Sequence, residues 1–156
     1  FVSCFSRGEP AGIPRQHWLD AFAGFISDED SDVWHVEYDQ ANSCDIHVTP
    51  DPNERDSIRP GTIASAMIER PCEDQRLWDA LSSVMRLGNV VLYYPGSQAL
   101  VACASVAEHL PEGMADALGG VVCIASGEDI VRYIRTHQAT DALPWGFDRR
   151  LDSGRP

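Results

Sequence analysis

Two neighbouring segments alternate between apolar and polar residues. From Val33 to Asp39, Trp34, Val36 and Tyr38 alternate with His35, Glu37 and Asp39; from Cys44 to Thr49, Cys44, Ile46 and Val48 alternate with Asp45, His47 and Thr49. A strand sends successive side chains to opposite faces, so the pattern describes two half-buried strands. Gln40-Ala41-Asn42-Ser43 joins them as a hairpin. One register buries the whole apolar set and gathers His35, Glu37, Asp39, Asp45 and His47 on the other face.

The remaining elements are read around this hairpin. Phe1 to Phe5 reads as a first strand, ended by the turn residues Gly8 and Pro10. Pro14 suits the first turn of a helix carrying Trp18, Leu19, Phe22, Phe25 and Ile26 on one side. Thr62 to Ile68 is a strand, followed by a helix whose apolar face is Leu77, Trp78, Leu81, Val84 and Met85, with Glu73 and Asp74 at its positive end and Gly88 to stop it. Val90 to Tyr94 is apolar without alternation, as a strand covered on both faces would be. Ala99 to Cys103 and Val121 to Ala125 are further strands, the latter also expected to be buried. Between them, Ser105 and Glu108 have capping-box spacing for a short helix, restarted at Pro111 and closed by Gly119. Ser126 caps a last helix with Ile130, Val131 and Ile134 on one face and Arg132, Arg135 and His137 near its negative end.

Strands and helices mix without regular βαβ alternation. The expected class is therefore α+β, with helices packed on a mainly antiparallel sheet as a single pair of layers. A chain of 156 residues, 44% of them hydrophobic, can sustain one such core. Residues 1–137 are assigned to this domain. Residues 138–156 read as an irregular tail docked on it through Leu143, Trp145 and Phe147.

Charge is the second constraint. Asp20 to Asp56 holds eleven carboxylates against one arginine, in a chain whose net charge is −12. Self-repulsion of this kind opposes folding, and its simplest use is attraction of a basic partner. Nucleic acid is excluded as a partner for want of a basic footprint. All twelve cations are arginine, so no lysine is present for a Schiff base or a phosphate loop. The five cysteines are widely spaced and never in C-x-x-C, and read as reduced core thiols of a cytoplasmic protein. No apolar run approaches the ~18 residues of a membrane span, and the first residues do not have the pattern of a secretion signal.

Several constellations invite a chemical reading. The polar hairpin face can be a solvated surface, a docking surface continuous with the acidic loop, or a metal site, although no established ligand spacing is present and no metal or cofactor is assigned. Cys44, Asp45 and His47 contain the residue types of an activated thiol, but strand geometry points Cys44 away from the other two. No catalytic residue is assigned. Ser126-Gly127-Glu128-Asp129 opens a helix, and its two carboxylates would repel a phosphate. The expected partner-binding residues are Asp28, Glu29, Asp30, Asp32, His35, Glu37, Asp39, Asp45, His47, Asp51 and Glu54.

The stretches Gly8-Glu9-Pro10-Ala11-Gly12-Ile13-Pro14-Arg15, Asp39-Gln40-Ala41-Asn42-Ser43-Cys44-Asp45, Arg70-Pro71-Cys72 with Leu77-Trp78-Asp79-Ala80-Leu81, Arg86 to Gly96, and His109-Leu110-Pro111 together resemble a family of small bacterial immunity proteins. Members of that family are encoded beside secreted antibacterial toxins. The likeness runs to about Ile134 and rests on turn and packing motifs, so it carries no active-site residues. The resemblance implies immunity against a cognate toxin domain. On independent grounds the acidic charge suggests stoichiometric occlusion of a basic site, and the cytosolic features suggest a toxin that acts in the cytoplasm, so the expected function is non-enzymatic. A small metal-dependent or Cys/His-based enzyme and a structural interaction module are the alternatives.

Overall fold

The hairpin is part of a larger sheet in the computed structural model, which describes residues 1–27, 32–51 and 61–138. Within these residues the strands are β1 (Val2–Ser6), β2 (Glu9–Pro10), β3 (Ile13–Pro14), β4 (Ile26–Ser27), β5 (Val33–Asp39), β6 (Asn42–Pro50), β7 (Thr62–Glu69), β8 (Val90–Leu92), β9 (Ala99–Val101) and β10 (Val121–Cys123). They form one sheet in the order β10-β9-β8-β1-β7-β6-β5-β4, with β2 added to β1 and β3 to β7. The pairings are antiparallel except for β9 with β10. That parallel pair is joined by a crossover containing a 3-10 helix (Ala104–His109) and α3 (Met114–Ala117). The other helices are α1 (Arg15–Ala21), α2 (Gln75–Met85) and α4 (Gly127–Gln138). The fold is α+β.

One face of the sheet carries the main core. Trp34, Val36, Ile46 and Val48 from the hairpin meet Trp18 and Phe22 of the α1 region, Leu77, Leu81 and Met85 of α2, and Ile130 of α4. The apolar spacing on α2 aims all of its large apolar residues inward, and Asp74 caps it by accepting from the Arg76 backbone N–H. Helix α4 starts beneath the Ser126 hydroxyl, which accepts from the Asp129 N–H at 3.2 Å. At that point Gly127 leaves no room for a side chain, since a Cβ there would lie 2.6 Å from the backbone nitrogen of Asp79. Its lack of a Cβ lets α4 approach α2 closely.

The opposite face divides in two. Val91, Ala99 and Val101 build a second core with Val106 and Leu110, packed by Met114 and Leu118 of the crossover. Over β8 and β9 the expected pair of layers thus gains a third. This is why Val90 to Leu92 is buried throughout, with Val90 and Leu92 in one core and Val91 in the other.

Several local expectations need correction. The first helix ends at Ala21, because Phe25 and Ile26 leave it to form a turn and β4, which pairs with β5. The capping box at Ser105 does not form: the 3-10 helix has no side-chain cap, and the Ser105 hydroxyl instead meets the Cys103 thiol at 3.1 Å. Strand β10 lies at the sheet edge with its last residue exposed rather than buried. Cys4 and Cys44 are core thiols, but Cys72 is half-buried and Cys103 and Cys123 are exposed. The proposed tail pins Leu143, Trp145 and Phe147 lie outside the described residues, as do Asp28, Glu29, Asp30 and Glu54.

Candidate functional site

Among the described residues, the part of the outer face without a helical cover belongs to β5, β6 and β7. Register places His35 opposite Asp45, Asp45 opposite Glu69, Val33 opposite His47, and His47 opposite Met67. Glu37 faces Ser43 in the next row. The inward residues Trp34, Val36, Tyr38, Cys44, Ile46 and Val48 are all buried, so the alternation is satisfied and their neighbours turn to solvent.

Much of this surface is internally paired. His35 Nδ1 and Asp45 Oδ1 are 2.9 Å apart, and the Arg70 guanidinium donates to Asp45 Oδ2 at 2.8 Å. His47 Nε2 lies 3.1 Å from Glu69 Oε2. Hydrogen bonding to His35 and then to Arg70 holds the Asp45 carboxyl below its ordinary pKa. Arg70 reaches Asp45 from a left-handed backbone conformation, φ 51°, just past the end of β7. Exposed pairs of this kind contribute little to stability, so their main effect is to orient the groups. Glu37 makes no ion pair among the described residues and is exposed.

Asp39 is not with these residues. A register shift between Glu37 and Asp39 carries it into the hairpin turn, where it accepts from the backbone of Ala41 and Asn42 and lies 3.6 Å from Arg76 of α2. The Asn42 side chain, then the Ala41 N–H, lower its pKa. Asp32 is exposed at the start of β5, where its carbonyl accepts from Val48. Asp51 is half-buried past the far end of β6, with its N–H donating to the Thr62 carbonyl. The structure therefore joins His35, Glu37, Asp45 and His47, and sets Asp32, Asp39 and Asp51 at separate margins.

Met67, Glu69 and Arg70 are parts of the face that the sequence reading missed. The signal for Met67 and Glu69 was the alternation of Thr62 to Glu69, which becomes informative once β7 is known to pair with β6. Nothing in the sequence marks Arg70. Val33 and Met67 are exposed at 42% and 37%, on either side of His47, and put two apolar side chains on the polar surface. Beside Met67 a cleft of about 160 Å³ opens at the end of the sheet, lined by Met67, Ile68, Trp78, Leu81, Tyr93 and Ile134 among others.

Chemically, the face combines orienting His–carboxylate contacts with the exposed side chains of Val33 and Met67. Cys44 lies on the buried side of its strand, separated by the sheet from Asp45 and His47. Among the described residues no group of three or more His, Cys, Asp or Glu side chains is placed to hold a metal ion, and no helix is long and apolar enough to cross a membrane. No family model, curated protein or solved structure matches the chain.

Proposed function

We propose that this chain neutralises a cognate antibacterial toxin by stoichiometric binding, using the open face of β5, β6 and β7 as its docking surface. The observation that carries the reading is a half-sheet that the described residues leave open, on which exposed Val33 and Met67 flank His47 and share a face with Glu37, Asp45 and Glu69, beside an apolar cleft. Exposed apolar side chains set among polar ones are common in protein interfaces. The net charge of −12 favours a basic partner, and the resemblance to immunity proteins supplies its class. Asp28, Glu29, Asp30 and Asp32 precede β5 in the chain and extend the acidic character of the segment. Binding takes place in the cytoplasm, where the toxin acts.

The test is co-expression with the product of the adjacent gene. The chain should copurify with a basic toxin domain in equimolar amount and protect cells that express it. Replacing Glu37 and Met67 by Arg should weaken binding while the variant still folds. Association should slow as salt rises, because screening at 0.15 M confines exposed charge effects to about 8 Å. Neutralisation at catalytic amounts of the chain, or a rate indifferent to salt, contradicts the proposal.

A further inference from the structure

The cleft of about 160 Å³ at the end of the sheet is lined by Met67 and Ile68 of β7, Trp78 and Leu81 of α2, and Ile134 of α4, with Glu69 as the one charged side chain among its lining residues. Trp78, Leu81 and Ile134 belong to the main core, so the recess opens directly onto it. An apolar cavity of roughly 150 Å³ accepts a benzene-sized group, so this one has room for an aromatic ring.

The chain carries such rings within reach. Helix α4 runs to Gln138, one turn past Ile134, and 18 residues follow it. That last turn rises about 6 Å, whereas the five residues from Gln138 to Leu143 can span about 17 Å. Leu143 and its successors can therefore return to the cleft. Leu143, Trp145 and Phe147 alternate with Pro144 and Gly146, so an extended segment would present all three on one side. A linker this short holds its ends at roughly millimolar effective concentration, and one seated ring is then enough to populate the contact.

Charge favours the same return. Asp141, Asp148 and Asp152 are balanced by Arg149, Arg150 and Arg155, so the 18 residues after α4 are neutral and residues 1–138 carry the whole net charge of −12. Arg149 and Arg150 follow closely on Phe147. Glu69 lines the cleft, and exposed Glu73 lies beside Trp78 and Ile134 in a corner shared with Arg135. Opposite charges flanking an apolar contact fix its register more than its strength.

We propose that residues 143–147 dock in this cleft, seating one aromatic ring against Trp78 and Ile134 and bringing Arg149 and Arg150 beside Glu69 and Glu73. The occupant is the chain's own segment after α4. This inference stands apart from the proposed function, which places the partner on the neighbouring face.

The test is methyl NMR of the full chain, labelled at Ile, Met and Val. Ring protons of Trp145 or Phe147 should show nuclear Overhauser contacts to the methyls of Ile134, Ile68 or Met67. In a Trp145→Ala, Phe147→Ala variant those methyl signals should shift, while Val101 and Val106 of the second core stay in place and report that the variant is folded. Trypsin should also cut after Arg149 and Arg150 several-fold faster in the variant than in the parent. Cleft methyls that do not move in the variant, or equal cleavage rates, overturn the proposal. So does a mixture of methyl-labelled and unlabelled chains in which the contacts run only between molecules, because the occupant would then be a second copy.

Discussion

On one outer face of one sheet, Val91 and Val101 are sealed beneath the crossover segment, while Asp45 and His47 on the far strands meet solvent. The residues differ because their cover differs. Strands β8 and β9 have a helical layer on each side, so each of their six residues is buried. Among the described residues, strands β5 and β6 have helices on one side, and they alternate. A surface that the described residues leave uncovered, with Val33 and Met67 exposed on it, is the one proposed above for docking.

The largest test of this contrast is to place a carboxylate on each half. Val101→Asp should cost about 3–5 kcal/mol, the range for an uncompensated buried charge, and abolish a cooperative transition in urea. Thr49→Asp, on the open half, should change stability by no more than about 0.5 kcal/mol. Equal losses would show that the open half is covered.

Gly127→Ala probes the inner face shared by both halves. The added methyl meets the backbone of Trp78 and Asp79, so a loss of about 1–3 kcal/mol is expected in the same urea measurement. An unchanged midpoint would show that α4 can move away freely.

Acid sensitivity should be traceable to the open half. The folded pKa of Asp45 lies below its ordinary value of 3.8, so the stabilisation from its contacts is complete above that value and disappears as pH falls through the folded pKa. Asp45→Asn should therefore lower stability at neutral pH and flatten its fall on acidification below about pH 5, the onset expected for such a group. A parallel fall in parent and variant would argue that the His35 and Arg70 contacts do not persist in solution. The smallest effect belongs to His47→Gln, which removes an exposed pair worth less than about 1 kcal/mol and should leave the urea midpoint nearly unmoved.

What the sequence made readable follows the range of each interaction. The hairpin faces, the α2 stripe and the Ser126 cap are set by residues a few positions apart, so periodicity and spacing find them. Phe25 and Ile26 fitted a helix by spacing but were drawn into a turn and β4, a competition decided by pairing with β5. The register shift that removes Asp39 from the face depends on the path of two strands through their turn. The reach of Arg70 to Asp45 requires β7 to lie on β6 across a long intervening loop. No local pattern encodes that placement.

Hydrogen exchange of the chain, alone and with its copurified partner, tests the docking claim most directly. Binding at the open face should slow exchange in peptides covering 33–49 and 61–70 and leave 99–124 unchanged. Protection confined to 99–124, with β5 to β7 exchanging as in the free chain, would contradict it.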